Sequence, residues 1–85
     1  MSLAYTEAAD LQLAALESDP TQDRLVAAIY RSLDVLERRP GDRASRRRGF
    51  ADGTKLMYVP GTDYVILWEP LGEADQLVTY IGPEF

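Results

Sequence analysis

The chain has no cysteine and no histidine. Without cysteine there is no disulfide, no thiolate nucleophile and no zinc site that uses sulfur. Without histidine the commonest general base and the commonest metal ligand are both missing. Catalysis of the Ser-His-Asp or Cys-His kind is therefore excluded. Any proton transfer must use Asp, Glu, Tyr, Lys or Arg. The acidic residues form no tight group of the sort that holds a divalent cation, so neither metal nor cofactor is expected. No apolar run approaches the ~20 residues that a membrane-spanning helix needs. The opening MSLAYTEAAD lacks the basic start and apolar centre of a secretory signal. These features predict a cytoplasmic chain with no membrane partner.

What is present suits one small domain over residues 1–85. The hydrophobic share is 46% and the charged share 27%, ordinary for a folded soluble protein. A chain of 85 residues buries only ~60–65% of its unfolded surface, enough for one modest core and one shallow functional face. Charge is unevenly spread. Nine basic residues face fourteen acidic ones, a net of −5. Between Arg38 and Lys55 there are seven basic and two acidic residues, a net of +5, which leaves −10 on the remainder. Eight of the nine cations are arginine, whose planar fork suits phosphate or carboxylate. The cluster reads either as an anion-binding rim or as a solvated loop paired with the acidic remainder.

The order of elements follows from periodicity and capping. Leu3-Ala4-Tyr5 is a short edge strand. Thr6 caps a helix over about Glu7–Ser18, with Glu7 in the first turn where the dipole favours an acid. Leu11 and Ala15 share one face of it, Leu13 and Leu16 the neighbouring one. Asp19-Pro20-Thr21-Gln22 reads as the start of a second helix, Asp19 being the N-cap and Gln22 closing a capping box. That helix should run to about Arg39. Leu25, Ile29, Leu33 and Leu36 form its core stripe, and Pro40-Gly41 stop it. One Asp-Pro turn between two helices predicts an antiparallel hairpin. The stretch 41–53 has no periodicity and reads as a floppy segment. Lys55–Val59, Tyr64–Glu69 and Gln76–Ile81 are rich in Tyr, Val, Ile and Trp and read as strands of an antiparallel meander. The fold class is therefore α+β, with a three- to four-stranded antiparallel sheet packed on an N-terminal helical hairpin. Alternation sends Tyr64, Ile66 and Trp68 to one face and Val65, Leu67 and Glu69 to the other. Of Tyr58, Tyr64, Trp68 and Tyr80, about two should lie in the core, since Trp and Tyr are usually well buried. Any left exposed would offer a stacking platform for bases.

In this order the segments YTEAADLQLAAL, AIYRSLDVLERRPGD, RRRGF-ADG-TK and DYVILWE…VTYIGP resemble the RelE/ParE toxin superfamily of bacterial type II toxin–antitoxin pairs. The resemblance spans nearly the whole chain and rests on element order as much as on letters. It implies a small antiparallel sheet with helices on one face, a cognate antitoxin as partner, and operator DNA engaged only through that antitoxin. RelE members cut ribosome-bound messenger RNA without metal, using Arg, Lys and Tyr side chains around the reacting phosphate. ParE members instead inhibit gyrase. On the RelE pattern Arg48 and Lys55 fall on catalytic positions, and Arg46, Arg47 and Tyr58 are candidates for RNA contact. The remaining positions differ. Met57 stands where the second lysine would be, Val65 where an arginine would be, and Glu84 where a cation would be. Loss of one donor to a transition-state charge costs ~2.7–4 kcal/mol. The alternative is a non-catalytic binding toxin, ParE-like or acting only through its antitoxin complex. The kinship requires antiparallel strands and arginines gathered on one rim.

Overall fold

A computed structural model describes residues 2–85. The described residues form β1 (Ser2–Tyr5), α1 (Glu7–Glu17), α2 (Asp23–Arg38), β2 (Arg48–Gly49), β3 (Lys55–Tyr58), β4 (Tyr64–Leu71) and β5 (Asp75–Pro83). Two short 3-10 turns, Pro20–Gln22 and Arg43–Arg46, lie just before α2 and β2.

The helices begin where short polar side chains can accept backbone N–H groups. Thr6 Oγ1 accepts from Ala9 N at 3.2 Å and opens α1. The buried face of α1 carries Ala9 and Leu13, with Leu16 packed beside them. Leu11 is 62% exposed and Ala15 is exposed as well, so the Leu11/Ala15 face is the solvent side. Asp19 does cap, but it caps only a tight turn: its Oδ1 accepts from Thr21 N at 3.0 Å. Gln22 makes no side-chain cap, and α2 starts one residue later. The proline shortens the first turn into a separate 3-10 segment because it brings no N–H of its own. Along α2, Ile29, Leu33 and Leu36 are buried and Leu25 packs against them, as the four-four-three spacing predicts. The two helices touch, and Tyr30 Oη donates to Glu17 Oε2 at 2.9 Å across them.

The sheet has five strands, in the order β1-β5-β4-β3-β2. It exceeds the expected three to four strands, and it is mixed. β2, β3, β4 and β5 run antiparallel in succession, but β1 joins β5 in parallel, Leu3 opposite Gln76 and Tyr5 opposite Val78. Short turns dictate antiparallel pairing for β3, β4 and β5. No short turn governs β1, which reaches the sheet ahead of both helices and returns to β5 by a long crossover. The 41–53 stretch is ordered too. It holds a 3-10 turn and β2, pinned by Arg47 N donating to Leu56 O at 2.9 Å and by Ser45 Oγ donating to Arg39 O at 3.0 Å.

Helices cover one face of the sheet. Met57, Val59, Ile66, Trp68, Val78 and Ile81 join the helical stripe in one buried cluster, with Tyr64 partly buried against it. On the opposite, outer face Leu56 and Val65 are also buried and Leu67 half-buried. Alternation along β4 therefore holds, but hydrophobic burial falls on both faces. β5 carries a bulge. Leu67 pairs with Tyr80 and Trp68 with Val78, leaving Thr79 as the extra residue. Beyond Val78, no second strand among the described residues lies beside β5. There Gln12 Oε1, from α1, accepts from Ile81 N at 2.9 Å.

Gly61 closes the β3–β4 turn at φ +79, a conformation that favours glycine. Gly82 serves a different need. A Cβ there would lie 2.5 Å from the Tyr80 hydroxyl, which donates to Pro83 O at 2.8 Å. Gly82→Ala should push the phenol aside and cost about 1 kcal/mol of stability, the worth of one intramolecular hydrogen bond. Urea unfolding is the measurement. The penalty should shrink in a Tyr80→Ala background, where the new methyl group meets no ring.

Candidate functional site

The basic segment divides between two sites, so the single arginine rim expected from the sequence does not form: Arg48 lies in a β-strand, whereas Arg46 and Arg47 lie on the turn before it. Arg43, Arg46 and Arg47 line one open concavity of ≈ 510 Å³ at the 3-10 turn before β2. The turn is held from beneath by Trp68, whose buried indole N–H donates to Ser45 O at 2.6 Å. Asp42 opens the turn by accepting from Ala44 N at 2.8 Å. Arg46 is oriented twice over: its Nε donates to Pro40 O at 3.0 Å, and its Cζ lies 5.6 Å from the Trp68 ring centroid. Among the described residues none of these three arginines has a carboxylate within ion-pair distance. Arg38 is bridged to Asp34, and Arg39 lies 4.0 Å from Asp42.

The second site is on the outer face. Arg48 faces Leu56 across the β2–β3 pair, and residues directly opposite share a face. Tyr58, two positions along from Leu56, points the same way. Both side chains meet Glu84. Tyr58 Oη donates to Glu84 Oε2 at 3.1 Å, and Arg48 Nη1 lies 4.0 Å from the same oxygen. Glu84 N in turn donates to Asp63 O at 2.8 Å, which lays the C-terminal residues along this side. Phe85 meets Tyr80 edge-on with centroids 6.0 Å apart and remains 78% exposed. Phe50, under the Arg48 guanidinium at 5.8 Å, joins Leu67, Thr79 and Phe85 around a shallow apolar concavity of ≈ 310 Å³.

Lys55 belongs to neither group. It sits opposite Gly49 and Trp68, so it shares Met57's face, away from Arg48. Its surroundings include Asp52 and Glu69, around a concavity of ≈ 400 Å³. Asp52 accepts from Thr54 N at 3.0 Å, and that backbone bond, with the threonine side chain second, holds its carboxyl below the usual range. Of the five residues singled out in the sequence, the structure thus brings Arg46 to Arg47 and Arg48 to Tyr58. Lys55 stands alone. Arg43 and Glu84 are the members that sequence reasoning did not include in the site. Arg43 lay inside the counted basic segment. Glu84 was legible only as a reversed charge, because its partners are 26 and 36 residues away.

The tyrosines also sort by face. Trp68 is buried and Tyr64 half-buried against the core, whereas Tyr58 and Tyr80 lie on the outer side. Tyr5, half-buried beneath the helices, has its phenol pushed above the ordinary range, first by burial and then by Glu37 and Asp10. Among the described residues no group of His, Cys, Asp or Glu has the geometry of a metal site.

No family model matches the chain, and no curated protein matches it significantly. Among solved structures it is similar to a chain of the chromosomal ParDE TA system from P. aeruginosa, with a TM-score of 0.78 and 16% identity. The superposition covers 100% of this chain and 97% of the other. The superposed length includes β1, so the parallel β1–β5 pair did not prevent the match. At this identity the likeness is one of fold: the chain has the fold of that ParDE component from end to end.

Proposed function

We propose that this chain is the toxin half of a type II toxin–antitoxin pair and acts by gripping a protein target rather than by cutting RNA. Support for the first part is the end-to-end likeness to a ParDE chain. The observation that carries the second part is Glu84. A carboxylate stands 4.0 Å from the Arg48 guanidinium and accepts from Tyr58, at the place where phosphate chemistry needs positive charge. Lys55 faces the other way across the sheet. Cations stabilise a developing phosphorane charge only when they converge on it, and these do not. A ParE-like grip on gyrase or a comparable machine fits a chain of net charge −5 better than a ribosome does, because a polyanion repels it at long range. The partner is a cognate antitoxin, and the complex works in the cytoplasm. Among the described residues no helix is long and apolar enough to cross a membrane.

The test is induction in a bacterium. Growth should stop, and co-production with the product of a neighbouring small gene should restore it and yield a complex on purification. Primer extension on ribosome-bound messages should find no new ends. An Arg48→Ala/Lys55→Ala variant should arrest growth as strongly as the parent. New message ends that vanish in this variant would return the chain to the nuclease reading. Growth that continues unchanged would remove the toxin reading altogether.

A further inference from the structure

We propose that the concavity formed by Arg43, Arg46 and Arg47 is a binding site for a compact polyphosphate, the pyrophosphate or triphosphate moiety of a small ligand. Three guanidinium groups share one open hollow with no carboxylate among the described residues to neutralise them. Such a grouping is self-repelling until an anion enters it. The nearest acid in sequence, Asp42, is committed, with one oxygen on Ala44 N and the other 4.0 Å from Arg39.

The second observation is the posture of Arg46. Its Nε is used by Pro40 O, and the guanidinium carbon lies over Trp68. Those two contacts leave the paired terminal nitrogens as the available donors. That two-pronged end matches an oxyanion in the bidentate way. The turn that carries all three arginines is fixed by the Trp68–Ser45 hydrogen bond, so little ordering remains to be done on binding.

The choice of ligand follows from what the hollow lacks and what surrounds it. Its lining is three arginines, with no exposed aromatic on which a base could stack: Trp68 is 1% exposed and lies beneath Arg46. The segment Arg38–Lys55 is +5, but everything else is −10. A long RNA or DNA strand, reaching past the hollow, would meet the net repulsion of the remaining chain. A short, densely charged anion would not. The site stands whether or not the chain arrests growth.

The lone tryptophan makes the test direct, because the group stacked on it is one of the three proposed ligands. The full chain is titrated with sodium pyrophosphate and with tripolyphosphate at constant ionic strength. Trp68 fluorescence and calorimetry are the readouts. Saturable binding of one anion per chain is expected, tighter for tripolyphosphate than for orthophosphate. Arg46→Gln, and separately Arg43→Gln with Arg47→Gln, should each weaken it about tenfold or more, the size of a lost charge-assisted hydrogen bond. Arg24→Gln with Arg31→Gln removes two exposed charges from α2 and should leave affinity within about twofold. Melting curves confirm that each variant is folded. If Arg46→Gln is not, the Arg43/Arg47 variant carries the test, since both side chains are exposed. Three results overturn the site: no saturable binding, equal weakening in the α2 control, or tighter binding of a single-stranded oligonucleotide or poly-glutamate at matched charge.

Discussion

Trp68→Ala should remove most of the stability of this chain. The indole is 1% exposed and belongs to the cluster shared by both helices and the sheet. Truncating a buried tryptophan costs ~3–5 kcal/mol. The Ser45 carbonyl would also lose its 2.6 Å partner inside the protein, a further ~1–3 kcal/mol if it stays buried. Domains of this size have only ~5–15 kcal/mol in total. Urea unfolding followed by far-ultraviolet circular dichroism should show the midpoint near or below zero denaturant. Trp68→Phe separates the two contributions. It fills most of the volume and still offers a ring to Arg46, so it should lose mainly the orphaned carbonyl's share. A Trp68→Phe variant as unstable as Trp68→Ala would mean that the hydrogen bond, not the packing, anchors the arginine turn.

Leu36→Ala is the second large effect, about 2–5 kcal/mol. Leu36 is fully buried, in the last turn of α2, in the same cluster as Trp68. Leu11→Ala is the matched control: the same chemistry at 62% exposure should change stability by less than ~0.5 kcal/mol. Equal losses at the two positions would contradict the assignment of α1's solvent face. Because Leu36 and Trp68 share one cluster, their combined loss should not be the sum of the single losses.

Local chemistry made much of this fold legible. The Thr6 cap, the α2 stripe and the alternation of Ile66 and Trp68 are all short-range signals, and each is present in the structure. What escaped was set at long range. The polarity of β1 depends on a partner more than seventy residues away. The order in 41–53 comes from Trp68 reaching back to Ser45 and from Leu56 accepting Arg47 N, neither of which any window of neighbouring residues reports. The candidate site divides in the same way. Composition alone marked Arg46–Arg48 as unusual. The side taken by Arg48 followed from the β2–β3 register, Arg48 on Leu56 and Gly49 on Lys55, because a shift of one residue exchanges the faces, while Arg46 and Arg47 stay on the preceding turn. The choice between the Leu11/Ala15 face and the Leu13/Leu16 face of α1 was left open for a related reason. Apolar residues occur all around α1, and only packing against β5 selects the Ala9–Leu13 side.

The hydrogen bond from Ile81 to Gln12 has a consequence for how the molecule behaves in a crowd. An unpaired strand margin normally invites a neighbouring copy to dock backbone to backbone, the first step toward fibrils. Here a glutamine side chain has already taken the amide such a copy would need, and Pro83, two residues on, has none to give. The protein is thereby insulated against polymerising with itself along that margin, while its guanidinium hollow, on another part of the surface, stays open.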